Sequence, residues 1–541
     1  MSGIISQYFL TPVQRILALL NVGHPVGHPP TMMWIFDEAA NLDMPDELAA
    51  PNFTALRRVL LIFSKYPIWS LFLSTNSMVR RFAAGSAVEK SDRVFNRELR
   101  LFPPFFGLPM DVELKRRLED DSVREGELRR PMVEFASVEH MTLFGRPLWR
   151  AYADQPVNKV REFVQHKLLC GYLGEPSTRP VHQVFALLAS RLTLDLVMNH
   201  PEAASLAREA VNSHLRLMTG WDSLTGATST TTPSEPIVAD AAAGVLLATS
   251  QAGVLNWVQC TNILANELLA RGLVGKGLRG ELYARFILVL ACDIVRQPNN
   301  EPAGNYFPNS RPFRLATFLE VLLGTAQFTA ITGHRFQKPF HTLRNRNATH
   351  GSIEPQLLRS FAGAYLNFTH FASTREALPP DTARVSMLLG NMIRRHQGLQ
   401  LAELQPDWDL IIPLYLGPID AAFSTSYVSA ILIQVKNRKT KSRLSCKPYH
   451  IKSIFGNNQP KLQILLDLGV QSEEDYQFEQ DLESNTYSIH IRGSGSSTFS
   501  CLSLPGMESA SRLLIGEPTN SRWASIHDDI VAENRGVQMP K

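Results

Sequence analysis

Two apolar segments carry the residue types that phosphodiester chemistry needs. Asp409 lies in "DWDLIIPLYL" (407–416), and Gln434 and Lys436 close the run "SAILIQVKN" (429–437). Burying an amide and an ammonium without partners costs several kcal/mol, so an apolar strand that ends in both implies that something waits for them there. Residues two apart share one face of a strand, which puts Gln434 and Lys436 side by side. A carboxylate and an amide carbonyl are oxygen donors suited to Mg²⁺, and a lysine beside them orients or activates the attacking water.

The acid that completes the set follows from strand geometry. "GPID" offers Asp420, but if 409–416 and 428–437 form an antiparallel hairpin, Asp420 lies in the connection, on the order of 20 Å or more from Gln434 at about 3.3 Å per residue. Asp409, at the start of the first strand, falls across from the end of the second. Asp407 is a same-face alternative, and Glu403 a substitute for an acid from the preceding helix. The metal ligands expected are therefore Asp409 and Gln434. A neutral Gln leaves one less negative charge than a Glu would, so Mg²⁺ binding then depends on substrate phosphate for the rest.

Charge around the segment points to a polyanion. Between Asp420 and Asp467 there is no acidic residue, while Lys436, Arg438, Lys439, Lys441, Arg443, Lys447, Lys452 and Lys461 give eight positive charges. Such a field fits a nucleic-acid backbone, gripped by Arg438, Lys439, Lys441 and Arg443. A solvated face or a nuclear-import tract in "KNRKTKSR" would use the same residues.

A second constellation stands near the N-terminus. "WIFDEA" has the form of a Walker B strand, in which Asp37 would hold the Mg²⁺ water shell and Glu38 would polarise the attacking water. "FLSTNS" has the form of a sensor strand with Asn76 at the γ-phosphate. A P-loop ATPase also needs G-x-x-x-x-G-K-[ST], and no such segment precedes Asp37. "GLVGKGLRGE" (272–281) lacks the Ser/Thr and reads as a loop entering a helix. Either an N-terminal part is missing or nucleotide turnover was lost, so ATP is not expected as a cofactor of this chain.

The elements that must position these residues fall into three parts. Residues 1–112 read as a truncated α/β segment with two buried strands, at "TMMWIFDEAANL" and "LIFSKYPIWSLFLSTNS". Residues 113–354 read as a helical middle, with a Ser/Thr/Pro loop at 225–236, and 355–541 as a compact α/β unit. The whole is a multidomain α/β and α protein. Its 541 residues allow roughly three or four cores of ordinary size, and 44% hydrophobic with 19% charged content is that of a globular chain. Five scattered cysteines without CxxC argue for a reducing compartment and against a zinc module. No stretch of about 18 uncharged apolar residues exists, so no membrane span is expected. An intracellular location, nucleus or cytoplasm, is the default.

Taken together, "WIFDEA", "FLSTNS" and "FPPFFGLPMDV" resemble the P-loop ATPase segment of the Crinkler and retrotransposon-hot-spot proteins. "LNFTHFA", "DWDLIIPLYL" and "SAILIQVKN" are similar to the nuclease domain that follows it in Crinkler-type proteins of fungi and oomycetes. The Gln-x-Lys form is similar to that of Mrr-type restriction enzymes. The resemblance implies a restriction-endonuclease-like (PD-(D/E)XK) domain over 355–541, a fungal source, an acid at Asp409, and Mg²⁺-dependent cleavage of nucleic acid, DNA rather than RNA. The competing expectation is a catalytically inactive nucleic-acid or partner-binding protein that keeps both folds. His24 and His28 in "GHPVGHPP" are held extended by proline, Trp149 in "LFGRPLW" reads as a packing residue, and His350 with Glu354 lacks a third ligand.

Overall fold

The computed structural model describes residues 6–19, 32–37, 39, 56, 59–63, 66–73, 105–171, 179–222, 227–248, 255–275, 279–297, 305–332, 356–374, 376–379, 381–402, 407–438, 442, 448–456, 459–470, 476–481, 484–507, 510 and 513. Glu38, Asn76, Lys439, Lys441, Arg443, Lys447, Glu403, His24, His28, His350, Glu354 and the Lys276-Gly277 pair lie outside them. The chain is mixed α/β and forms two compact units, residues 1–107 with 218–230, and 108–217 with 231–541.

In the first unit, β1 (Met32–Phe36) and β2 (Ile68–Phe72) pair in parallel, Met33 beside Trp69 and Ile35 beside Leu71. The alternate residues Trp34 and Ile68 pack on Val13 and Leu17 of the helix Thr11–Leu19 and on Phe63. Two buried strands were expected here. One face is instead open, with Met33 48%, Ile35 59% and Trp69 63% exposed. A parallel pair normally has both faces covered, and among the described residues only one is. The 225–236 segment expected as loop holds β4 (Thr228–Thr231), which pairs with β3 (Leu217–Trp221).

The second unit is built on one sheet. Its short strands are β5 (Phe313–Arg314), β6 (Tyr365–Leu366), β7 (His370–Ser373) and β8 (Gln397–Gln400). The longer ones are β9 (Leu410–Tyr415), β10 (Val428–Lys436), β11 (Lys461–Asp467), β12 (Tyr476–Asp481) and β13 (Thr486–Arg492). The order is β12-β13-β11-β10-β9, with β6 and β8 both pairing to the far edge of β9. β10, β11 and β13 run parallel, while β9 is antiparallel to β10.

Alternation along the strands feeds two cores. Ile431, Ile433 and Val435 of β10, with Leu410 and Ile412 of β9, face a core shared with α1 (Val157–Leu169), α2 (Pro180–Leu192), α3 (Pro236–Leu246), α4 (Arg279–Val295) and α5 (Leu315–Leu323). Ala430 and Leu432, with Ile411, face a second core with α6 (Thr382–Arg394) and α7 (Pro448–Phe455). α6 starts where the Asp381 side chain accepts the Arg384 N–H at 2.8 Å, the usual device for satisfying a first-turn donor. It then buries Val385, Leu389, Met392 and Ile393 at helical spacing. β10 is thus clamped on both faces, which explains its unbroken apolar run. Trp149 is buried, and its indole N–H donates to Glu235 Oε1 at 2.7 Å. No helix among the described residues is long and apolar enough to cross a membrane.

Candidate active site at the ends of the central strands

α6, the meander β8–β9–β10, α7 and then β11 parallel to β10 follow one another along the chain, and α6 and α7 pack on one face of the Asp409 and Gln434 strands. Leu410 pairs with Ile433, so Asp409 lies one step further on, beside Gln434. Its N–H donates to the Ile433 carbonyl at 2.9 Å and its carbonyl accepts from Leu401 N–H at 2.9 Å. The side chain closes the end of the ladder, Oδ2 accepting the Val435 N–H at 2.6 Å. Oδ1 bonds to none of the described residues. Burial raises the Asp409 carboxyl above its usual range, opposed by the Val435 N–H and by the Lys436 charge.

Lys436 ends β10 half-buried, on the same face as Gln434 and Leu432. Its carbonyl accepts the Leu468 N–H at 2.8 Å; its ammonium makes no hydrogen bond or ion pair with any described residue, although it lies close enough to Asp409 to lower that carboxyl's pKa. Gln434 is 3% exposed. Asp420 sits exposed in the β9–β10 connection, far along the hairpin from Gln434. Asp407 takes a left-handed backbone (φ 82°) just before β9, and its carboxylate bonds His450 of α7 instead of turning to Gln434. Asp37 follows β1 in an exposed turn of the other unit.

β11 extends the polar row. Lys436 pairs with Asp467, and Asp467 with Arg492, all on the face away from Leu462, Ile464 and Leu466. Asp467 is fully buried and accepts from Ser442 N–H at 2.6 Å and from its hydroxyl at 3.4 Å. That bond ties the middle of the basic tract to the strand end. Arg438 is exposed beside it, and its backbone presses on Gly469, where an added Cβ would lie 2.5 Å from the Arg438 carbonyl. Asp467 is the first acid after the acid-free tract and ends the apolar run "KLQILLD", a signal that could have marked it. His450 had no such signal.

As a metal site the group is sparse. Among the described residues no three His, Cys, Asp or Glu side chains converge. Asp409 Oδ1 is the carboxylate oxygen without a bond among the described residues, Gln434 lies beside it, and both Asp467 oxygens are engaged by Ser442. That set suits a hard cation that takes its remaining ligands from water and phosphate. Comparison with protein-family models, curated proteins and solved structures gave no match.

Proposed function

We propose that this chain is a Mg²⁺-dependent nuclease of restriction-endonuclease-like type, hydrolysing nucleic-acid phosphodiester bonds with DNA preferred over RNA, and akin to the Crinkler and retrotransposon-hot-spot proteins. The observation that carries the reading is Lys436. A half-buried ammonium without a hydrogen bond or ion pair among the described residues, beside a carboxylate on the same strand-end face, is costly for the fold to keep. A substrate phosphate and its attacking water would give that charge its partners.

In this reading Asp409 Oδ1 and Gln434 would hold Mg²⁺, whose bound charge would favour the developing phosphorane. Lys436 orients the attacking water and stabilises negative charge on the phosphoryl oxygens. Asp467 holds Ser442 at the strand end, and in this reading the cations Arg438, Lys439, Lys441 and Arg443 would meet the backbone. Nucleotide turnover at Asp37 forms no part of the reading.

A second reading is favoured by the Asp409–Val435 bond and by the single anionic ligand: a catalytically inactive protein that binds nucleic acid or another partner on the same face. The purified full chain, incubated with plasmid DNA and single-stranded RNA in Mg²⁺ and then in excess chelator, separates the two. Mg²⁺-dependent cleavage that Asp409→Ala abolishes supports the nuclease. Salt-sensitive binding without cleavage by the wild type supports the binder.

A further inference from the structure

We infer that Ser234 and His370 form a second catalytic site, separate from the strand-end site at Asp409, in which Ser234 is the nucleophile that cleaves a carboxylic ester. Ser234 lies half-buried in "TPSEP" (232–236), between β4 and α3, with Pro233 and Pro236 restricting the backbone on either side. Its Oγ is 2.7 Å from His370 Nε2 and 2.8 Å from Gln397 Oε1. His370 opens β7, Gln397 opens β8, and the two are paired across these parallel strands, so both reach the same hydroxyl. Arg395 Nη1 donates to the Ser234 carbonyl at 2.8 Å and holds the turn from a further side.

The hydrogen-bond chain sets the tautomer of His370. The Thr369 hydroxyl has one proton, which it gives to the His396 carbonyl at 3.2 Å, and it lies 2.9 Å from His370 Nδ1, so it accepts the Nδ1–H. Nε2 then presents its lone pair to Ser234 Oγ–H, the arrangement in which a histidine activates a serine. Burial first, then the charges of Arg191, His396 and Arg395, pushes His370 well below the ordinary imidazole range and keeps it an unprotonated base at neutral pH. A donor for the oxyanion is also in place. Glu235 is 2% exposed, its N–H donates to no described residue, and it precedes the first turn of α3, whose N-terminal end is positive. The Glu235 carboxylate is committed to the Arg146 N–H and the Trp149 indole. The amide that follows a nucleophilic serine is where such sites hold the developing charge.

In the reaction Ser234 Oγ bonds to the ester carbonyl carbon as its proton passes to His370 Nε2. The bond from that carbon to the alcohol oxygen breaks, and the oxygen leaves with the electron pair and the Nε2 proton. Water then attacks the acyl carbon and gives a proton to Nε2. The bond to Oγ breaks, Oγ recovers that proton, and the carboxylic acid is released. Thr369 acts through His370 as a positioning residue.

The test treats the full-length wild type, Ser234→Ala, His370→Gln and Thr369→Val with an alkyl fluorophosphonate, which loses fluoride to an activated serine, and follows p-nitrophenyl butyrate hydrolysis in parallel. Peptide mass mapping locates the adduct. Expected is phosphonylation of Ser234 in the wild type, and ester hydrolysis lower by about 10²- to 10⁴-fold in Ser234→Ala and His370→Gln. Thr369→Val should lose less, in kcat with KM kept. Labelling of the wild type should stay level from about pH 8 to about pH 6, because the buried base is already neutral there. A wild type left unlabelled at Ser234, or a wild-type ester rate in Ser234→Ala, overturns the assignment. Labelling that falls through about pH 6.5, the value of an ordinary exposed histidine, removes His370 as the base and overturns it as well.

Discussion

The parallel pair β1–β2 and the parallel set β10–β11–β13 start from the same sequence cue, an apolar run closed by polar residues. They end as different objects. In β1–β2, Ile35 and Trp69 remain 59% and 63% exposed, and only one face is packed. In β10, Ile431 and Leu432 are both fully buried, on opposite faces, one toward α4 and its neighbours and the other toward α6 and α7. Polar residues at a strand end become a candidate site only where both faces are clamped, because only then are their directions fixed to the tolerance that catalysis requires.

The largest contrast should be in stability. Leu432→Ala is expected to cost about 2–5 kcal/mol, since it opens a cavity in a closed core, whereas Ile35→Ala should change stability by less than about 0.5 kcal/mol. Chemical denaturation of the full chain, followed by a probe in each unit, reads both. Equal effects would mean that the open face of β1–β2 is covered in solution.

Next in size is the tether at Asp467. Asp467→Ala frees Ser442, and affinity for a duplex should fall roughly three- to tenfold. The slope of log Kd against log salt should stay the same, because the phosphate-contacting cations are all retained. A changed slope would mean that the tract itself has been displaced from the interface.

The smallest effect concerns Lys461, which opens β11 at the end away from the site. Burial pulls its ammonium down to about 8, while its Nζ donates to the Gly456 carbonyl. The unfolded chain therefore holds more protons than the folded one between about pH 8 and the ordinary lysine value of about 10.4. Stability should rise as pH climbs through that window. Lys461→Met should raise the denaturation midpoint at pH 7, and the gain should shrink toward pH 10. A gain of the same size at both values would contradict the assignment.

The hairpin was legible from sequence because β9 and β10 are rich in Ile and Val and their ends are marked by Asp409 and Gln434. The Asp407–His450 bond was not, since it depends on a left-handed turn at Asp407 and on a helix from the basic tract. β11 was missed for a related reason. "KLQILLD" has one β-branched residue and three leucines, which favour helix as readily as strand, and only its place between β10 and β13 makes it a strand. The open face of β1–β2 was likewise invisible, because an apolar run reads as buried whether or not anything covers it.

The most direct test of the nuclease reading is Lys436→Met, compared with wild type in single-turnover cleavage and in duplex binding without Mg²⁺. Cleavage should fall by at least about 10²-fold while Kd changes by less than roughly threefold, as for a group that acts chiefly in the transition state. Cleavage at the wild-type rate would show that Lys436 is not part of the chemistry. Cleavage and binding lost together in equal measure would make it a contact residue of a binding face.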